Sequence, residues 1–157
     1  MTLSHVRIER DLPASMVGGM RDRMVKLTRM LLPGRWRSLE SLDPRALGRV
    51  GEDIAVRMLT RSGLHVLARN RRIAGVEIDV IAESPPEGLL LVMEVKTSRG
   101  GRPPESRVDL ARRRRLVRAA SILAADRAVA IEVVAIAIEG SRPVLQRFRL
   151  EGSDIEC

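Results

Sequence analysis

Three short stretches of this 157-residue chain carry side chains that could do chemistry together: Gly51-Glu52-Asp53, Val76-Glu77-Ile78-Asp79 and Met93-Glu94-Val95-Lys96-Thr97. The last two read as β-strands, and alternation along a strand puts Glu77 with Asp79 on one face and Glu94 with Lys96 on one face. An antiparallel pairing of the two strands brings Asp79 beside Glu94. Two adjacent carboxylates repel at neutral pH unless positive charge lies between them. Lys96 offsets part of that repulsion, and a hard divalent cation such as Mg²⁺ or Mn²⁺ offsets more. A metal, two carboxylates and an ammonium suit phosphodiester hydrolysis: the metal polarises the phosphoryl oxygen and acidifies water, and the ammonium stabilises developing charge. Taken alone, the same pattern is more often a surface ion pair across two strands.

Lys96 stands out because only it and Lys26 are lysines among 28 basic residues. A general preference for arginine leaves a retained lysine where a compact donor with a tunable pKa is wanted rather than a planar fork.

The elements that must position these residues follow from the pattern around them. Asp43-Pro44 opens a helix, with an N-cap carboxylate followed by the residue whose missing N–H costs nothing there. Leu47, Val50, Ile54, Met58 and Leu59 line its inner face, and Gly63 stops it. Strands follow at Leu64–Arg69, Val76–Ala82 and Leu89–Lys96, separated by turns at Arg71–Gly75 and Ser84–Gly88. A second helix is expected from Glu105 or Asp109 to Asp126, then a two-sided strand, Ala128–Ile138, and a last strand, Val144–Leu150. The order αβββαββ predicts an α/β fold with a mixed sheet flanked by helices. Residues 1–42 form a basic, Met-rich leader. Met16, Met20, Met24, Leu27 and Leu31 recur at helical steps, so the leader is expected to be helical or disordered. Residues 43–150 form the domain and 151–157 a tail.

Composition removes several classes. The net charge is +8, which favours a polyanion as partner. Trp36 and Phe148 are the only aromatics, so an aromatic platform for stacking bases is absent. One cysteine, Cys157, allows neither an internal disulfide nor a thiolate zinc site. The longest apolar runs, Leu89 to Met93 and Val133 to Ile138, are far short of a membrane span, and the expected place of the protein is the cytoplasm. His5 and His65 lack metal-ligand spacing, and Ser62, Thr97 and Ser98 have no histidine base nearby.

Gly48-Arg49-Val50-Gly51-Glu52-Asp53-Ile54-Ala55, Leu67-Ala68-Arg69-Asn70, Gly75 to Ala82 and Val92 to Thr97 together resemble the YraN-like family of uncharacterised bacterial proteins. That family is similar to the PD-(D/E)xK, restriction-endonuclease-like superfamily and to Holliday junction resolvases. The resemblance covers about Pro44 to Phe148. It implies a three-layer α-β-α core around the mixed sheet and a metal-dependent endonuclease acting on DNA, possible substrates being branched or damaged DNA. By position, Asp79 and Glu94 would be metal ligands, with Val95 adding its backbone carbonyl. Lys96 would position or activate water, Glu52 would complete the acidic cluster, and Glu77 belongs to the same catalytic motif. Three departures are notable: Gly75-Val76 stands where the family usually has Gly-Gly, Arg112 where it has lysine, and Ala130-Ile131-Glu132 where an Arg-aromatic-Asp run precedes the central strand.

Arg112, Arg113, Arg114, Arg115 and Arg118 spread around the second helix, and Arg99 and Arg102 lie in the glycine-rich loop after Lys96. Such a cluster is commonly a solvated basic helix face. Beside the expected site it would form a rim for phosphate contact without sequence readout. The alternative to an enzyme is a nucleic-acid-binding protein that keeps the nuclease fold; a homodimer stays open.

Overall fold

Asp43 caps the first helix as its sequence dictates, its carboxylate accepting from the N–H groups of Arg45 at 2.9 Å and Ala46 at 3.0 Å, with Pro44 in the first turn. The computed structural model describes residues 23–31, 39, 41–99, 110–125, 127–139 and 142–151. In chain order they form β1 (Arg23–Leu31), α1 (Pro44–Arg61), β2 (His65–Ile73), β3 (Val76–Ser84), β4 (Leu89–Arg99), α2 (Leu110–Ala124), β5 (Val129–Glu139) and β6 (Arg142–Glu151).

The six strands make one sheet in the order β1-β6-β5-β4-β3-β2. Only β4 and β5 run parallel, joined through α2; every other neighbour is antiparallel. Side chains alternate between two apolar layers, as the period of a strand requires. Leu91, Met93 and Val95 of β4 join Val134, Ile136 and Ile138 of β5 beneath Ile54, Ala55, Met58 and Leu59 of α1. Leu90 and Val92 join Ile131 beneath Leu116, Ala119 and Ala120 of α2. The helices therefore cover opposite faces, which gives the α-β-α layering. Both faces of β5 are buried, as its continuous β-branched run required.

The order αβββαββ is present, with one strand added. Arg23–Leu31 was expected to be helical or disordered as part of a 1–42 leader; it is instead an edge strand paired with β6. The pairing register slips between Lys26 and Thr28, leaving Leu27 as an extra residue. One residue inserted into a two-step repeat gives a three-residue step, as from Met24 to Leu27, which beside four-residue steps imitates helical spacing. Met16 and Met20, the rest of that pattern, lie outside the described residues.

β2 is also longer than expected. The turn expected at Arg71–Gly75 shrinks to two residues, because Ile73 still pairs with Val76 and both Ala74 (φ 47°) and Gly75 (φ 78°) adopt the left-handed backbone of a tight hairpin turn. Among the described residues no helix is long and apolar enough to cross a membrane.

Candidate metal centre

The site is built where the sheet forks. β3 pairs with β4 from Ser84↔Leu89 as far as Val80↔Met93 and no further, whereas β3 stays paired with β2 to the hairpin turn. Asp79, the first residue past the fork, would stand opposite Glu94 if the ladder continued. Parting strands free backbone groups that need partners. The Asp79 carboxylate supplies one, its Oδ2 accepting the Val95 N–H at 2.7 Å.

A kink in β2 lies directly across. Asn70 has φ 47° in mid-strand, between the pairs Arg69↔Val80 and Arg71↔Ile78. On one side of it Val80 packs in the layer under α1; on the other, Ile78 and Val76 pack in the layer under α2. The hairpin end is thus rotated relative to the rest of the sheet, and the Asn70–Asp79 rung is where it turns. Asn70 donates to Glu52 Oε2 on α1 at 3.2 Å.

Glu94 lies on the α2 face, its side chain only 3% exposed. Lys96 Nζ is 2.7 Å from its Oε1. Arg112, at the start of α2, donates to its Oε2 from Nε at 3.0 Å and Nη2 at 2.5 Å, and Nη2 also donates to the Glu77 carbonyl at 2.7 Å. Arg112 therefore points into the site and not onto the outer rim where sequence reasoning had it. Glu77 enters the site through its backbone; its carboxylate is exposed and lies 4.0 Å from Arg72.

Glu52 reaches the same end of the sheet because α1 approaches β4 closely at Gly51. A Cβ at that position would collide with Thr97 Oγ1 and come within 2.9 Å of Thr97 Cβ. The neighbouring Asp53 pairs with Arg69 at 2.6 Å.

Even with two cations present, the site is short of positive charge. Burial first, and then the negative charge of Glu94 and, more weakly, Glu52, push the Asp79 carboxyl up to about 6; the Val95 N–H and Arg112 oppose this only partly. Oxygen-only ligands, a partly buried carboxylate with one oxygen unbonded among the described residues, and unrelieved repulsion fit a hard cation held by one or two carboxylates with water and substrate oxygens completing its shell. No three His, Cys, Asp or Glu among the described residues converge into an all-protein cage. Asp79 and Glu94 are the residues that would hold the ion, with Glu94 exchanging part of its contact to Arg112. Val95 contributes its N–H to Asp79, and its side chain lies in the α1 layer.

The expected basic rim divides. Arg99 is spent on the chain before α1, donating to the carbonyls of Leu39 and Leu42. Arg102 lies outside the described residues. Arg113 is half-buried, while Arg114, Arg115 and Arg118 are exposed on α2. Sequence reasoning missed the exposed Arg71 and Arg72 of the β2–β3 hairpin. The signal is the run Arg69-Asn70-Arg71-Arg72 just before the acidic motif, of which Arg71 and Arg72 fall in the expected Arg71–Gly75 turn.

Three kinds of similarity bear on the chain. The model of the family described as "Uncharacterised protein family UPF0102" matches residues 51–136. A UPF0102 protein of Oleidesulfovibrio alaskensis is 35% identical over 115 residues, which covers 69% of this chain and 56% of that protein. One from Symbiobacterium thermophilum is 45% identical over 80 residues, covering 50% of this chain and 66% of the relative, and one from Syntrophotalea carbinolica is 36% identical over 111 residues, covering 66% and 88%. The match thus spans roughly half to two thirds of the first two relatives' length. Among solved structures, Pyrococcus furiosus SfsA in complex with Ca²⁺ is similar at a TM-score of 0.36 and 15% identity, covering 71% of this chain and 65% of that one.

Proposed function

The chain belongs to the uncharacterised protein family UPF0102, the YraN family, and we propose that it is a divalent-metal-dependent nuclease-like protein that hydrolyses phosphodiester bonds of DNA, with branched or damaged DNA as the first substrates to try. The observation that carries this reading is the fork: Asp79 and Glu94 lie at the point where β3 leaves β4, with Lys96 2.7 Å from Glu94.

When bound, Mg²⁺ or Mn²⁺ supplies the Lewis acidity that polarises a phosphoryl oxygen and makes water a better nucleophile. The rest falls to the chain. Asp79 is held in place by the Val95 N–H at one oxygen, and its other oxygen has no hydrogen bond among the described residues. Lys96 is half-exposed next to a buried carboxylate, so its ammonium can orient water and stabilise charge developing on the phosphate. Asn70 fixes Glu52 at the edge of the same opening, where its charge adds to the pull on a cation. Arg114, Arg115 and Arg118 offer phosphate contacts that read no sequence.

A second reading has its own support. Both oxygens of Glu94 are already engaged, by Lys96 and by Arg112, which suits a nucleic-acid-binding protein that keeps the fold without catalysis. Incubating wild type and Asp79→Ala with branched, nicked and linear DNA in Mg²⁺ or Mn²⁺ separates the two. Metal-stimulated cleavage by wild type alone supports the nuclease; salt-sensitive binding with identical, null cleavage by both proteins supports the second reading.

A further inference from the structure

The arginines around the site are not equally available. Arg69 is paired with Asp53, Lys96 and Arg112 with Glu94, and Arg99 with two backbone carbonyls. Arg71 and Arg72 differ. Both are exposed; among the described residues Arg71 makes no ion pair, and Arg72, 73% exposed, has only Glu77 at 4.0 Å, the outer limit of a salt bridge.

Their place in the fold is as informative as their freedom. They sit on the hairpin end that runs past the fork, paired as Arg71↔Ile78 and Arg72↔Glu77, one and two rungs beyond Asp79. Being consecutive on the strand, their side chains leave opposite faces of the hairpin, so its end presents a guanidinium group to either side. The turn beneath them is a tight two-residue one, and Val76 and Ile78 anchor the hairpin in the α2 layer, so the guanidinium groups are carried on a rigid arm and not on a loose loop.

Resting on the nuclease-like reading above, we infer that the β2–β3 hairpin is a backbone clamp: Arg71 and Arg72 grip phosphates of the polynucleotide next to the one presented at Asp79 and Glu94. The exposed arginines of α2 lie on a different element, so a substrate reaching both would be held from two sides of the site. Arginine suits this role because its fork pairs with two phosphate oxygens and stays charged.

The test is the salt dependence of binding to a fluorescent branched duplex, with the full chain and EDTA present so that no cleavage intervenes. Each lost phosphate contact lowers the slope of log Kd against log salt by about 0.7 to 0.9. Arg71→Gln/Arg72→Gln is expected to reduce the slope by about 1.4 to 1.8, while Arg71→Lys/Arg72→Lys keeps it. Unchanged thermal melting and Mn²⁺ titration of the glutamine variant show that fold and centre persist. An unchanged slope, with Arg114→Gln/Arg115→Gln lowering it, overturns the clamp and leaves the functional reading standing. Absence of any wild-type binding at low salt overturns the functional reading and the clamp with it.

Discussion

Arg112 and Glu94 form a two-point contact, Nε and Nη2 of the guanidinium both meeting Oε2, between the start of α2 and the middle of the sheet. The carboxylate is almost wholly buried and shared with Lys96, so one negative charge holds two cations at the mouth of the site. A metal ion bound at Glu94 would therefore compete with Arg112 for the same oxygen.

Arg112→Ala should lower stability by about 1–3 kcal/mol, because a buried carboxylate loses one of its two partners. The loss should be recovered by Mn²⁺: the rise in melting temperature on adding the ion is expected to be larger in this variant than in wild type. An equal rise in both would show that Arg112 and the ion do not share Glu94.

Stability should depend on pH through Asp79. Its carboxyl ionises near 3.8 when unfolded and near 6 when folded. Between those values the folded chain keeps a proton the unfolded chain has lost, so stability falls as pH rises through the window and the whole cost, about 3 kcal/mol, stands above pH 6. Asp79→Asn, whose amide oxygen can still accept the Val95 N–H, should therefore be more stable than wild type at pH 7.5 and no more stable at pH 3.5. Denaturant melts at both pH values decide it.

Gly51→Ala should cost about 1–3 kcal/mol by overpacking α1 against Thr97. Displacing α1 also displaces Glu52, so the Asn70–Glu52 contact should loosen; Mn²⁺ affinity by calorimetry, corrected for the folded fraction, should fall with it.

Glu132 is 0% exposed and accepts from Arg147 at 2.6 and 2.9 Å and from Arg149 at 2.9 and 3.2 Å. Removing it leaves the confined Arg147 without a counterion among the described residues and Arg149 with only Glu87, 3.2 Å from its Nη2. Glu132→Ala is expected to lose about 3–5 kcal/mol, with metal binding per folded molecule unchanged, because Glu132 alternates with Ala130 and Val134 onto the α1 face of the sheet, opposite Glu94.

Much of this arrangement is local and was legible in the chain. Asp43-Pro44 and the spacing from Leu47 to Leu59 determine α1; the β-branched run determines β5; the two strand-like stretches on either side of the Ser84–Gly88 turn determine the β3–β4 hairpin, whose register would set Asp79 opposite Glu94 if the ladder ran one rung further. These signals are periodic and act over a few residues, so sequence carries them whole. Tertiary structure decided the rest. That Arg23–Leu31 is a strand depends on β6, more than a hundred residues away, because an edge strand is held by its neighbour and not by its own pattern. That Arg112 turns inward while Arg114 faces out depends on a buried carboxylate needing a cation, which four consecutive arginines cannot reveal. The fork coincides with the positive φ of Asn70 on the neighbouring strand, one rung past Val80↔Met93, and no residue announces where two paired strands will part.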